Sequence, residues 1–360
     1  MRSVYIHIPF CSSICSYCDF CKFLHNDVWA HEYLIHLEKE INKYYDEDEV
    51  KTIYIGGGTP SVLGIDNLNK LMDITKIFKR KSDSEFTFEM NVNDITEEKL
   101  SILKNNGVNR ISIGVESFDE NNLLFLNRKH NKKDIFNNIN LVKKYFDNIN
   151  VDLIYALPIE NQTILRKDVS NLLKLDVNHI STYSLIIESN TVLSVKKIKP
   201  IEEDKDAKMY KYIVNKLKSK GYSHYEVSNF AKEGYESKHN LGYWCNNEYY
   251  GFGLGSHGFI GELRYENTRS FNEYLSDNYR LNELLLSKQE DMENYVMLGL
   301  RKLDGINLKE FFDKYNENIQ DVFNIKPLLK EGLLKTNDTN LFIPEDKIYI
   351  MNYILNKIFE

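Results

Sequence analysis

Near the start of the chain runs the stretch Tyr5-Ile6-His7-Ile8-Pro9-Phe10-Cys11-Ser12-Ser13-Ile14-Cys15-Ser16-Tyr17-Cys18-Asp19-Phe20-Cys21, which holds four of the five cysteines. The spacing Cys11-x3-Cys15-x2-Cys18 is too compact for a disulfide framework and suits thiolates that converge on one inorganic cluster. Three thiolates can hold three irons of a [4Fe–4S] cube and leave the fourth iron for another ligand. A structural zinc site with Cys21 as its fourth ligand is the alternative, but such sites usually join two separated pairs of cysteines.

Length and charge exclude several classes of protein. The 360 residues can form one large domain with a full core and one small domain. The net charge of −7 gives no electrostatic reason to expect nucleic acid or an anionic membrane surface as a partner. No apolar run approaches the roughly 20 residues that span a bilayer, although peripheral membrane contact stays open. Clustered cysteines without a signal-peptide pattern predict a reducing compartment, and we expect a cytoplasmic protein.

Six strand-like runs alternate with helical patterns over the first two-thirds of the chain. Such alternation predicts a parallel sheet, either open and doubly wound or closed towards a barrel, with ligands at the carboxyl ends of its strands. The residues with unusual chemistry fall at those ends. The runs are Val4–Ile8, Thr52–Ile55, Phe86–Met90, Arg110–Val115, Val151–Ala156 and Ile180–Ile187.

The remaining third of the chain has a different pattern. Residues 221–288 are rich in glycine and aromatic residues, and we predict an irregular connecting region there. Residues 289–360 show helical patterns followed by a hairpin, which is typical of a winged-helix-like α+β module. Residues 288–360 contain 10 Lys and Arg against 13 Asp and Glu, a net charge of −3. A nucleic-acid reader needs a basic patch, so this composition favours a packing or lid domain.

The cysteine spacing resembles the signature of the radical S-adenosylmethionine (radical SAM) superfamily. The resemblance implies a partial (β/α)6 barrel over residues 1–220, a [4Fe–4S] cluster on Cys11, Cys15 and Cys18, and S-adenosylmethionine chelated at the free iron for one-electron cleavage. It also implies cofactor contacts around the strand ends. These contacts involve Tyr5 and Tyr17 beside the cluster, Gly57, Gly58 and Thr59 in the loop Gly56-Gly57-Gly58-Thr59-Pro60, and Glu89 at the ribose hydroxyls.

Three further segments resemble one subgroup, the oxygen-independent coproporphyrinogen III oxidases and their HemW-like relatives. They are Gly107–Phe118, Leu126–His130 and Asp152–Pro158. The resemblance implies that Arg128 and Asp152 contact S-adenosylmethionine or the substrate. Glu116 is a departure, because the relatives have a glutamine there and a carboxylate cannot donate a hydrogen bond as an amide can. We therefore expect the polar contacts around Glu116 to be rearranged.

The segment His239-Asn240-Leu241-Gly242-Tyr243-Trp244 resembles the haem-binding motif of the HemW-like group. An imidazole beside two aromatic rings suits a flat apolar macrocycle with an axial ligand, so we predict His239 as a haem-iron ligand. The alternative is a hydrogen-bonded structural histidine. Cys245 and His257, which follow the motif, receive no such role, and a small buried cysteine explains Cys245 equally well.

Two functions within the family have to be separated. The oxidase relatives carry Cys-x3-Cys-x2-Cys-x-Cys after a long extension, whereas here Phe20 stands at the extra cysteine, Cys21 comes one residue later, and ten residues precede Cys11. These differences favour a haem chaperone over an oxidase that converts coproporphyrinogen to protoporphyrinogen. The resemblance implies haem, acceptor haem proteins and an electron donor for the cluster as partners. A radical enzyme that binds nucleic acid through its C-terminal module is a third hypothesis, and the acidic composition opposes it.

Overall fold

The computed structural model describes residues 2–360, which contain long mixed stretches of helix and strand. The strands are β1 (Arg2–Ile8), β2 (Phe10–Cys11), β3 (Phe23–Leu24), β4 (Glu49–Gly57), β5 (Lys79–Asn91), β6 (Arg110–Glu116), β7 (Asn148–Tyr155), β8 (His179–Ser184), β9 (Ser223–Glu226), β10 (Asn229–Ala231), β11 (Tyr249–Phe252), β12 (His257–Ile260), β13 (Leu263–Asn267), β14 (Arg280–Leu285), β15 (Ile306–Asn307), β16 (Lys335–Thr336) and β17 (Asn340–Phe342).

Helices connect most of these strands. They are α1 (Asp27–Tyr44), α2 (Ile65–Thr75), α3 (Glu97–Asn105), α4 (Glu120–Phe125), α5 (Lys132–Val142), α6 (Gln162–Lys174), α7 (Val192–Val195), α8 (Glu203–Lys218), α9 (Lys238–Trp244), α10 (Phe271–Leu275), α11 (Lys288–Gly299), α12 (Leu308–Tyr315), α13 (Ile319–Val322), α14 (Ile325–Lys330) and α15 (Met351–Phe359).

The large sheet has the strand order β14-β13-β12-β11-β1-β4-β5-β6-β7-β8-β10-β9. From β1 to β8 every neighbouring pair is parallel, and helices α1 to α6 make the crossovers. All six predicted strands are present, so the predicted partial (β/α)6 barrel is confirmed. Because β1 and β8 do not pair with each other in the described chain, the barrel stays open on one side.

Alternation along the strands separates an apolar layer from a polar interior. Outward-facing residues such as Ile6, Ile53 and Phe88 are fully buried under the helices. Inward-facing positions carry polar side chains instead, for example Thr52 and Asn150. A barrel lined in this way can satisfy bound polar groups, and its strand ends present backbone and side chains to a ligand.

Helix starts follow the local sequence signals. At the start of α3 the Thr96 hydroxyl accepts a hydrogen bond from the backbone N–H of Lys99 at 3.3 Å, and Glu97 and Glu98 occupy the first turn. Gly107, with φ of +85°, ends the same segment in the left-handed region that glycine tolerates. These local interactions fix where strand β6 begins.

Residues 221–288 differ from the irregular region that the sequence predicted, because six strands lie within them. β10 and β9 extend the sheet beyond β8, and β11 pairs in parallel with β1. β12, β13 and β14 continue as an antiparallel meander. The strands are three to six residues long and are interrupted by turns at Gly253, Gly255 and Gly261, so no periodic window is long enough to identify them.

The C-terminal part contains the predicted helices and hairpin. Helices α11 to α15 surround a small sheet of order β15-β17-β16. The hairpin turn is closed by the N–H of Asn337, which donates to the carbonyl of Asn340 at 3.0 Å. Among residues 2–360, no helix combines the length and apolar character needed to cross a bilayer.

Candidate cofactor site

A cavity of about 820 Å³ opens at the carboxyl ends of the barrel strands. This volume lies in the range of small-molecule and cofactor sites. The cavity brings together eleven of the predicted site residues, whereas Tyr5 and His239 lie outside its lining. The eleven are Cys11, Cys15, Tyr17, Cys18, Gly57, Gly58, Thr59, Glu89, Glu116, Arg128 and Asp152.

The cysteine loop leaves β1 and is held against the barrel by backbone contacts. The N–H of Phe23 donates to the carbonyl of Pro9 at 2.6 Å, and the N–H of Ser16 donates to the carbonyl of Leu126 at 3.2 Å. Burial raises the pKa of the Cys11 thiol to about 12 and also raises that of Cys18. Thiols in such surroundings ionise only with a cationic partner, so this donor set fits an iron cluster.

Cys21 takes a different direction from the three cavity cysteines. Its buried thiol donates to the backbone carbonyl of Arg269 at 3.7 Å and packs near Gly255, and it does not line the cavity. The zinc alternative would need this thiolate as a fourth ligand. Cys21 therefore lies apart from the three cavity cysteines, whose role as cluster ligands stays a prediction.

The glycine loop after β4 packs directly on the cysteine loop. The N–H of Gly58 donates to the carbonyl of Ile8 at 2.9 Å, and that of Thr59 donates to the carbonyl of Phe10 at 2.7 Å. A Cβ on Gly58 would lie 2.8 Å from both carbonyl oxygens, so a side chain cannot fit without moving backbone. Gly57 adopts φ of +109°, which also requires glycine. The loop therefore forms a cradle that is open to a ligand and closely joined to Cys11.

Two half-buried carboxylates form part of the polar wall. Glu89 accepts hydrogen bonds from the Tyr54 hydroxyl at 2.6 Å and from the N–H of Gly57 at 3.2 Å, while its burial raises its pKa. Asp152 accepts from the Asn150 amide at 2.8 Å. Burial, followed by the nearby charge of Glu116, raises the pKa of Asp152 to about 7. Both groups keep acceptor capacity for ligand hydroxyl or amino groups.

Glu116 and Arg128 form a buried ion pair on the same wall. The Tyr17 hydroxyl donates to Glu116 at 3.1 Å, Arg128 donates to that hydroxyl at 2.9 Å, and its other terminal nitrogen donates to Asn91 at 2.7 Å. Glu116 holds an unusual φ of +66°, which points its carboxylate into the cavity beside Arg128. Whether these contacts differ from those of relatives stays a prediction. The Nε of Arg128 is buried without a partner in the described chain, so the site has a donor to spare.

Tyr5 lies inside the barrel beneath the cavity. Its hydroxyl is 3.0 Å from the Nδ1 of His7, and its ring centroid is 6.2 Å from that of Tyr54, which in turn binds Glu89. Tyr5 therefore supports the cavity floor rather than lining it. Its predicted contact with the cofactor stays a prediction.

His239 lies deeper, at the start of the barrel strands. Its Nδ1 is 2.7 Å from the Thr52 hydroxyl and its Nε2 is 3.0 Å from the Tyr243 hydroxyl. Burial lowers the pKa of His239 to about 3, so the ring is neutral. Both ring nitrogens are engaged in this conformation. Haem ligation by His239 stays a prediction, and it requires one ring nitrogen to leave its hydrogen-bond partner.

Several cavity residues carried no signal in the sequence. Asn91 shares the inward face of β5 with Glu89, and this two-residue spacing could have indicated it. Arg301 and the segment 348–352 line the cavity from the C-terminal part. Their position depends on how that part packs on the barrel, so no local pattern could have found them.

Comparisons with known proteins agree with this architecture. The family model described as the radical SAM superfamily matches residues 5–170, and that of the HemN C-terminal domain matches residues 286–346. A protein of Lactococcus lactis named "Heme chaperone HemW" is 37% identical, covering 99% of this chain and 97% of its own length. The chain belongs to the HemW family. A second HemW, from Bacillus subtilis, is 39% identical over 95% of each chain.

Among solved structures, coproporphyrinogen III oxidase (HemN) from Escherichia coli is similar to this HemW family member. The TM-score is 0.88 at 21% identity, covering 99% of this chain and 89% of the oxidase. At this identity the likeness establishes the fold alone. It confirms the partial radical SAM barrel and the presence of the C-terminal domain in the same overall arrangement.

Proposed function

We propose that this chain is a haem chaperone that binds haem, a [4Fe–4S] cluster and S-adenosylmethionine, and transfers the haem to acceptor haem proteins. The observation that carries this function is the identity of 37% and 39% to two proteins named haem chaperones, over almost the whole length of each. The radical SAM match over residues 5–170 supports the cluster and S-adenosylmethionine as cofactors.

In this proposal Cys11, Cys15 and Cys18 hold three irons of the cluster. When bound, the cluster supplies one electron to the sulfonium of S-adenosylmethionine at its free iron. The buried thiols and the glycine cradle beside them fit this group. Gly57 and Gly58 line the cavity beside these cysteines, so their backbone N–H and C=O groups would contact the methionine moiety.

The carboxylates of the wall provide orientation and charge. Glu89 would accept hydrogen bonds from the ribose hydroxyls, while Glu116 and Asp152 face the same cavity. Against these three acids stand two cations, Lys22 and Arg128, and Arg128 is already paired with Glu116. An excess of negative charge in a partly buried cavity favours a cationic ligand, and the sulfonium of S-adenosylmethionine is one.

Anaerobic reconstitution followed by haem titration tests the proposal. The protein should take up about four irons and four sulfides per chain, shift the Soret band of added haem, and deliver haem to apomyoglobin faster than haem dissociates into buffer. Failure to bind haem, or to transfer it, would refute the chaperone function.

Incubation with coproporphyrinogen, a reductant and S-adenosylmethionine separates a carrier from an oxidase. We expect no protoporphyrinogen under conditions in which the cluster is intact. Its formation would replace the proposed function with the oxidase.

A further inference from the structure

The cavity has two chemically different halves. The half at the carboxyl ends of β1 to β7 holds the cysteines, the glycine loop and the acidic wall described above. The other half is formed by β8, the turn between β9 and β10, and the C-terminal part. Its lining includes Tyr183, Ile186, Arg301, Tyr349 and Met351. The proposed cofactors of the first half leave this second half without an assigned ligand.

The walls of the second half are aromatic and aliphatic, yet they reach solvent. Tyr183 is 42% exposed, Ile186 is 67% exposed and Tyr349 is 38% exposed. Large apolar side chains that line a cavity and still contact water gain free energy when an apolar ligand covers them. Tyr210 packs behind them, with its ring centroid 5.6 Å from that of Tyr349. The wall therefore offers a broad apolar surface that suits a flat ring.

Arg301 is the cation of this half, since Lys22 and Arg128, the other cations that line the cavity, belong to the half with the cysteines. Its backbone carbonyl accepts from the N–H of Val227 at 3.1 Å, which fixes the residue at the turn between β9 and β10. Its guanidinium carbon lies 5.4 Å from the ring centroid of Trp244. The aromatic face holds the cation in place without neutralising it.

Among residues 2–360 no salt bridge reaches this guanidinium, although Glu226 lies near enough for its charge to act on it: burial lowers the pKa of Arg301 and Glu226 raises it. Glu226 is fully buried, its Oε2 accepts from the N–H of Ser228 at 3.3 Å, and its Oε1 has no partner among residues 2–360. Glu188 also lines this half, but no ion pair joins it to Arg301 in the described chain. A partly buried guanidinium without a salt-bridge partner is a favourable position for a ligand carboxylate, which it can bind through two parallel hydrogen bonds.

We propose that Arg301 binds a propionate carboxylate of haem, with the porphyrin ring lying on the apolar wall of Tyr183, Ile186 and Tyr349. The inference rests on the proposed haem-chaperone function and adds the position of the haem within the cavity. Haem combines an apolar ring with carboxylates on one edge, and this half combines an apolar wall with one cation at its edge. Trp244 links the site to α9, the helix that also carries His239.

Equilibrium titration of the full-length protein with haem and with haem dimethyl ester tests this assignment. Wild-type protein should bind haem roughly tenfold to a hundredfold more tightly than the diester, because esterification removes a charge-assisted contact. Arg301→Gln should lose that preference, because its affinity for haem falls while its affinity for the diester stays the same. Arg301→Lys should retain part of it, since a positive charge remains.

Lys302→Gln is the matched control, because it removes the neighbouring positive charge, which pairs with Asp304 at 3.5 Å. It should preserve the preference for haem. Equal affinity of wild type for haem and diester, or an unchanged preference in Arg301→Gln, would overturn the inference while leaving the chaperone function intact. Absence of haem binding by wild type would instead refute the function itself. Thermal unfolding of each variant shows whether a loss of haem binding comes from misfolding. If Arg301→Gln is misfolded, the titration of Arg301→Lys tests the inference instead.

Discussion

Replacing Gly58 with alanine tests whether the glycine cradle and the cysteine loop form one unit. A Cβ at this position would approach the carbonyl oxygens of Ile8 and Phe10 at 2.8 Å and the nitrogen of Phe10 at 2.9 Å. All three are backbone atoms, so no side chain can rotate away. An ordinary contact begins near 3.4 Å, and the two segments must therefore separate by about 0.6 Å.

The magnitude follows from this overlap. Forcing a methyl group into packed backbone costs about 1–3 kcal/mol, and weakening the two hydrogen bonds that join the segments adds about 1 kcal/mol. A loss of about 2–4 kcal/mol should lower the thermal midpoint by about 3–5 °C for a chain of this length. Because Phe10 directly precedes Cys11, the displacement should also reduce the iron that the protein retains after anaerobic reconstitution.

The assay compares iron content, sulfide content and thermal midpoint of Gly58→Ala with those of wild type. Gly64→Ala is the matched control, because Gly64 has φ of −62° and its nearest neighbour is the flexible carboxylate of Asp27 at 3.1 Å. The control should behave like wild type. A Gly58→Ala protein with full iron content and an unchanged midpoint would show that the close backbone approach does not hold the cysteine loop.

Three further predictions concern other parts of the molecule. Cys15→Ala should abolish the cluster, whereas Cys21→Ala should retain it; equal loss in both would show that the three-ligand assignment is wrong. Burial raises the pKa of Glu226 in the folded protein from 4.5 to about 7. The contribution of this group to the free energy of unfolding is therefore fully present below pH 4.5 and is lost as the pH rises through about 7. Glu226→Gln should therefore raise the free energy of unfolding at pH 8, by at most about 3 kcal/mol, with little effect at pH 5 in thermal or urea unfolding. His239→Ala should weaken the haem Soret shift. It should also lower the free energy of unfolding by about 2–4 kcal/mol, because the lost imidazole leaves an empty space and a Thr52 hydroxyl without its partner. An unchanged Soret titration would leave His239 as a structural residue of the barrel.

The sequence by itself determined the elements whose signals are local. Cys11, Cys15 and Cys18 lie within one loop. Each of the six barrel strands and each helix between them shows its own spacing of apolar residues within a single segment. The position of functional residues at strand ends followed from the parallel arrangement alone. For these reasons the barrel and the three cavity cysteines could be predicted, whereas Glu89 and Asp152 were predicted from the family resemblance.

Only the tertiary structure decided which distant segments share the cavity. It paired Glu116 with Arg128 across a helix and a turn, it brought Arg301 and residues 348–352 to the second half of the cavity, and it enclosed His239 within the barrel. It also joined the short strands after residue 221 to both edges of the sheet. Such contacts depend on how whole layers pack, and their energies come from residues far apart in the chain. A local pattern in the sequence records the period of one element but not the partner on which that element packs.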